Sequence, residues 1–160
     1  MTSGPALQRD IWKHRQIGGN MGIVGIFCLT MIACTTIIHY EVLRTLSIVL
    51  PGIRIRARAK LIFVIFGQFL AHFIEIILYA FTIYVLVRYL ELGALEDIKR
   101  FSLKICLYFS AETYTLGYGD IVPGGGLRLL AGTEALNGLL LIGWSASYTY
   151  LTMERFWKNE

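Results

Sequence analysis

The chain has 160 residues, room for one domain. It is 56% hydrophobic with a mean hydropathy of +0.59, too apolar for an ordinary soluble protein and in keeping with a membrane protein. The net charge of +4 is modest, and no basic stretch is interleaved with aromatics as a nucleic-acid site requires, so the partner expected from composition is the lipid bilayer and not a nucleic acid. The cysteines, Cys28, Cys34 and Cys106, are odd in number and form no CxxC. A disulfide framework or a zinc site is therefore not expected, and all three read as small buried thiols.

Residues 1–17 are polar and mixed in charge, with Trp12 suited to the headgroup level. The apolar run that follows is too long for a signal peptide and is closed by no cleavage motif, so it is expected to stay in the mature chain. Gly18 to Ile38 carries no charge and supplies a first transmembrane helix over 18–40. Its glycines at 18, 22 and 25 would let another helix approach closely, or simply loosen the helix start. The helix is expected to run past Glu41 and Arg44 to Leu50 and to stop at Pro51-Gly52.

Arg54, Arg56, Arg58 and Lys60 recur at every second residue. A voltage sensor would need them at every third, so they read as a basic cytoplasmic loop. Residues 61–90 form the second span. His72 and Glu75 lie in it on one helix face, and burying them alone in hydrocarbon would be costly. With His39 or Glu41 of the first span as partners, they form either an interhelical polar clasp or a pH-responsive or metal-binding cluster; the clasp is the favoured reading. Residues 18–101 thus make a hairpin of two spans joined by the basic loop, and a short polar loop over 91–101 follows the second span.

Residues 102–153 read as one unit. A helix over 102–114 is too short to span and runs into Thr115-Leu116-Gly117-Tyr118-Gly119-Asp120. Glycines at alternate positions free such a stretch to turn successive carbonyls to one side, and Thr115 adds a hydroxyl at the inner end. A row of this kind can replace the water shell of a potassium ion when four copies surround one axis. The short helix would be re-entrant, with the partial negative charge of its C-terminal end favouring a cation. Residues 120–126 are expected to form an outer turn, and 127–152 the last span. Glu134, Asn137, Leu141, Ser145, Tyr148 and Thr152 form a polar stripe on that span, which would line a wet cavity or act as packing glue. Glu134 could instead bond the short helix. Gly132, Gly138 and Gly143 are candidate bend points. The tail, 154–160, is short and interfacial. No catalytic array stands out, so an enzyme is not expected, nor any cofactor.

The stretch Thr115 to Asp120 resembles the selectivity filter of potassium channels, with Leu116 in place of a valine. Tyr108-Phe109-Ser110, Thr113 to Pro123, Glu134 to Gly138 and Gly143-Trp144-Ser145 resemble the ion-channel domain of small bacterial potassium-channel-like proteins, which are themselves likened to two-pore-domain channels. His39 and His72-Phe73-Ile74-Glu75 look like the upstream pattern of the same proteins. One departure stands out: Tyr114 precedes Thr115 where the usual pattern has a second threonine.

The resemblance implies an all-α membrane protein with three transmembrane helices, a re-entrant pore helix and a filter loop. It further implies a homotetramer in the inner (plasma) membrane that conducts K+ selectively. Thr115, Leu116, Gly117 and Tyr118 would coordinate K+, the transported ion, while Gly119 and Asp120 support the filter. The outer end of the filter places 91–101 and 121–126 outside, the 44–60 loop and the C-terminus inside, and the N-terminus outside. The rival expectations are a poorly selective cation channel and a non-conducting partner subunit with a channel-like fold.

Overall fold

The structure is a computed structural model that describes residues 5–96, 98, 100–117 and 119–157, with side chains from residue 21 onward except at 57, 156 and 157. Four helices and one pair of strands follow in the order α1 (Pro5–Gly52), α2 (Ala57–Arg88), β1 (Gly93–Glu96), α3 (Leu103–Tyr114), β2 (Val122–Gly125) and α4 (Leu127–Trp157). Uncharged runs make α1, α2 and α4 long enough and apolar enough to cross a membrane, over Met21–Gly52, Arg58–Arg88 and Leu127–Arg155. The chain is thus mostly helical, as its composition led us to expect.

Local chemistry explains the boundaries. Pro51 and Gly52 occupy the last turn of α1. α1 begins at Pro5, so residues 5–17 of the polar segment belong to the same helix as the first span, and residues 1–4 lie outside the described residues. α2 begins at Ala57, which puts Arg58 and Lys60 on its first turn and leaves Arg54 and Arg56 in the connection. Ser102 caps α3, its side chain accepting from the Ile105 amide at 3.4 Å. The 12 residues of α3 give a length of about 18 Å at 1.5 Å per residue, against about 30 Å of hydrocarbon.

The loops on either side of α3 are not plain turns. β1 and β2 pair antiparallel, with Gly93 opposite Gly125, Ala94 opposite Gly124, Leu95 opposite Pro123 and Glu96 opposite Val122. The fold is therefore not purely helical. Short apolar alternation was hidden by the charges of 91–101 and the glycines of 124–126, and glycine is what the pairing needs. A Cβ on Gly93 would lie 2.6 Å from the Gly124 carbonyl oxygen.

The apolar core sits at the end of the molecule that carries β1 and β2. Val24, Cys28 and Met31 of α1 meet Tyr79, Ile83 and Leu86 of α2, Cys106 and Phe109 of α3, and Leu127 and Leu130 of α4. Cys34 is the exception among the cysteines: it is exposed on the outer face of α1, where lipid would lie. α4 is the most enclosed of the spans, with 39% of its most apolar window buried against 22% for each of the others.

Candidate functional site

Two polar regions meet at the C-terminal end of α3. The first is a seam between helices. On α2, Gln68, His72, Glu75 and Tyr79 follow the i, i+4, i+7, i+11 spacing of one helix face. Thr35 and His39 stand one turn apart on α1, and Ser110 and Tyr114 one turn apart on α3. These faces converge on the polar stripe of α4. His39 Nδ1 lies 3.0 Å from Glu75 Oε1, and His72 Nδ1 lies 3.1 Å from Glu75 Oε2. The Tyr114 hydroxyl donates to Glu75 Oε2 and stands 3.0 Å from His72 Nδ1. On the far side of both rings is Ser145, whose Oγ is 3.0 Å from His72 Nε2 and 3.2 Å from His39 Nε2. His39 and Glu75 are fully buried, and His72 keeps 17% of its side chain exposed in a groove of about 700 Å³ bordered by Tyr114 and Thr115.

The sequence offered His39 or Glu41 as the partner of Glu75. Geometry selects His39, while Glu41 is exposed and paired with Arg44 at 3.2 Å. The ligand atoms of His39, His72 and Glu75 lie within 4.8 Å of one another. Hydrogen bonds already join these atoms to one another within the chain. The arrangement is therefore that of a polar clasp.

The stripe on α4 faces into the subunit. Glu134, Asn137, Leu141, Ser145 and Thr152 are all buried. Glu134 Oε1 accepts from the Ser110 hydroxyl of α3, while Glu134 Oε2 has no partner among the described residues. Asn137 Nδ2 donates to Thr35 Oγ1 at 2.7 Å and to the Tyr79 hydroxyl at 3.2 Å. Tyr148 meets Ser47 at 2.9 Å. Within the subunit these side chains join α4 to α1, α2 and α3, and Ser145 also borders the groove beside His72. The reason is that α1 and α2 present polar groups at matching heights, which the α4 sequence alone does not reveal.

Gly138 sits where this seam meets the second region. A Cβ at Gly138 would lie 2.2 Å from the Tyr114 carbonyl oxygen and 3.0 Å from Tyr114 Cγ. The role is close approach to the end of α3. By contrast, a methyl added at Gly132 or Gly143 would meet nothing within 4 Å, and the same holds for Gly22 and Gly25 on α1. α4 is one helix through all three of its glycines.

The second region is the stretch after α3. The Gly117 amide donates to the Glu112 carbonyl at 2.7 Å and the Leu116 amide to the Thr113 carbonyl at 3.2 Å, a Schellman closure. Leu116 takes the left-handed position of that motif, with φ of 57°. Glycine is usual there, and a bulky side chain is strained. The Thr115 hydroxyl turns back on its own helix, donating to the Ala111 carbonyl at 3.0 Å. Thr115, Leu116 and Gly117 are exposed, as is Asp120, and Tyr118 lies outside the described residues.

Gly119 passes over Glu112, whose Oε2 would lie 1.8 Å from a Cβ added there. Hydrogen bonding to Glu112 above all, then lost hydration and the Asp120 carboxylate, pushes the Tyr108 hydroxyl up to about 12. Tyr108 therefore stays a neutral donor beside the two carboxylates. Sequence reasoning passed over Glu112, although it sits three residues before Thr115 on a helix that points at the glycines.

A short helix ending in a glycine-rich turn, set between two spans, is the layout of a channel pore unit. The family model described as "Ion channel" matches residues 59–155, more than half of the chain. The chain belongs to the ion-channel family. No curated protein and no solved structure matches it. The ion-channel segment takes in α2, both strands, α3 and α4, and leaves α1 outside. This ion channel is accordingly a multi-pass membrane protein with an added first span, and that span supplies His39 to the clasp.

Proposed function

We propose that this ion channel conducts K+ passively and selectively through a homotetrameric pore in the plasma membrane. The observation that carries the reading is the stretch Thr115-Leu116-Gly117-Tyr118-Gly119-Asp120 at the C-terminal end of α3, within the ion-channel segment. α3 enters as a re-entrant pore helix and the following residues return along the axis. Carbonyls of Thr115, Leu116, Gly117 and Tyr118 strip and replace the hydration of K+, with Gly119 and Asp120 shaping the outer end. The exposure of residues 115–117 supports assembly, because irregular backbone at membrane depth must be covered by protein or face a water-filled pore. One filter stretch per chain then calls for four chains.

A specific observation favours a second reading. Schellman closure at Leu116 and Gly117 draws two filter residues into the end of α3, and Tyr114, fixed in the clasp, replaces a threonine. A filter shortened in this way would pass cations with weak selectivity. Flux from potassium-loaded liposomes decides between them. The main reading expects barium-blocked K+ flux with sodium excluded, the second expects equal K+ and Na+ flux, and absence of flux would identify a non-conducting partner subunit.

A further inference from the structure

The clasp has more ring nitrogens than it has hydrogens to serve them. Both imidazoles turn Nδ1 to the Glu75 carboxylate and Nε2 to the Ser145 hydroxyl. With Glu75 ionised, each Nδ1 must carry a hydrogen, since a bare nitrogen would face a carboxylate oxygen. In two neutral rings, both Nε2 atoms are then acceptors. Ser145 has one hydroxyl hydrogen and can serve only one of them. The other Nε2 would be left without a donor from the protein. Adding one proton closes the set: one ring becomes an imidazolium and donates Nε2–H to Ser145, whose own hydrogen goes to the other ring. Placing the same proton on Glu75 also closes it, with His72 Nδ1 then accepting from Tyr114 and its Nε2–H donating to Ser145. In both forms the set is electrically neutral, which the membrane interior favours.

We propose that His39, His72, Glu75 and Ser145 form a proton-binding site that holds one labile proton, shared between the two imidazoles and the carboxylate. The titratable groups facing it are Glu75 and His72 from α2, His39 from α1 and Tyr114 from α3, with Tyr79 one turn along α2 and turned toward Asn137. From α4 the site is faced by Ser145 and by the uncharged ring of Trp144, 5.4 Å from that of His39, while the Glu134 carboxylate, bonded to Ser110, acts on Tyr79 and Tyr114. Gln68 fixes α4 at this height by donating to the Ser145 carbonyl at 2.8 Å, and Thr149 in turn donates to Gln68 at 2.8 Å. The exposed edge of His72 in the groove gives the proton a route in and out. Rising pH removes the proton and leaves one Nε2 bare. Tyr114, bonded to both Glu75 and His72 and adjoining Thr115, carries that change to the end of α3.

The test is nitrogen and carbon NMR on the full chain in lipid nanodiscs, labelled at histidine and glutamate, between about pH 5 and about pH 9. His14→Gln identifies the signals of the remaining histidine, the third in the chain. The expected result is a plateau on which the protonated fractions of His39, His72 and Glu75 above the ionised, neutral-ring state add up to one. That proton should leave as a single step on raising the pH. Ser145→Ala should abolish the shared step and make the two rings titrate apart. Two neutral rings beside an ionised Glu75 across the range overturn the proposal, as does separate uptake of a full proton by each ring. The wild-type count decides the matter even if a variant fails to fold. None of this requires conduction, so it stands or falls apart from the K+ reading. Where the channel does conduct, flux should change with pH in the wild type and lose that response in His72→Gln.

Discussion

The clasp and the filter stretch are joined at Tyr114 yet are opposite in character. Around Glu75, polar atoms from all four helices find partners inside one chain, and the side chains are almost wholly buried. A few residues on, Thr115, Leu116 and Gly117 lie exposed, and the Thr115 hydroxyl turns back to its own helix. The chain thus finishes its scaffold alone and leaves its glycine-rich turn on the surface. Polar groups at membrane depth are costly unless satisfied. A satisfied seam is a packing device within the subunit, while an exposed turn at the same depth calls for neighbours. Changes in the seam should therefore lower subunit stability, and changes in the turn should alter conduction and leave stability nearly unaffected.

The largest effect is expected where the regions touch. Gly138→Ala places a methyl against the Tyr114 carbonyl, a backbone atom that cannot swing aside. Overpacking of this kind costs about 1–3 kcal/mol, and here it also displaces the end of α3. Thermal unfolding in detergent should show a lower midpoint, and liposome flux should be lost. Unchanged stability would break the idea that α4 and α3 are in register through this glycine.

Glu75→Leu comes next. It strips the acceptor from His39, His72 and Tyr114 together. Each buried donor left without a partner costs about 1–3 kcal/mol, so the melting midpoint should fall clearly. Ser110→Ala is the smaller version. It leaves both Glu134 oxygens bare, because Oε2 already has no partner. The loss should be about 1–3 kcal/mol, and pairing it with Glu134→Leu should restore much of it, since removing both partners is less harmful than removing one. If Ser110→Ala melts like the wild type, the bond to Glu134 is not holding α3 in place.

Much of this contrast was legible in the sequence, for physical reasons that differ between the two regions. Span lengths follow from uninterrupted apolar runs, and the short α3 from the polar flank and the glycines around it. His72 and Glu75 announced themselves by their cost in hydrocarbon. Their partner Tyr114 did not, nor did Gln68 on the same face of α2, since a tyrosine or a glutamine in such a helix has several inexpensive placements. The i, i+4, i+7, i+11 spacing from Gln68 to Tyr79 was available as a signal and would have extended the face. Pairing of β1 with β2 was hidden because the strands are short and separated by α3. The orientation of the α4 stripe could not be read from α4 alone, because Glu134 and Asn137 bond to Ser110, Thr35 and Tyr79 on three other helices.

Leu116→Gly separates the two regions most directly. Residue 116 sits at φ of 57°, and a side chain there is strained by an amount of order 1 kcal/mol. Glycine removes the strain, although it also widens the unfolded ensemble, so the melting midpoint should move by little. Conduction should not be so tolerant. On the proposed K+ reading, a glycine frees the turn just where the carbonyls of residues 115 and 116 would be held, so the ratio of K+ to Na+ flux should fall while the subunit melts much as before. A large drop in stability with unchanged selectivity would reverse the assignment, making Leu116 a packing residue and moving ion discrimination elsewhere.

The smallest expected effect is the control for all the others. Gly143→Ala lies on α4 barely more than one turn beyond Gly138, but a methyl there meets nothing within 4 Å. Replacing glycine by alanine inside a helix is worth about 1 kcal/mol in favour of alanine when no clash intervenes. Within an isolated subunit, stability should stay level or rise slightly. The residue is free in one chain, so any loss must arise between chains. Reduced flux or a lower oligomer yield on cross-linking, with an unchanged subunit melt, would mark the Gly143 face as one that a neighbouring copy approaches. No change in any of these leaves Gly143 facing lipid or water, and confines the role of glycine on α4 to the contact with Tyr114.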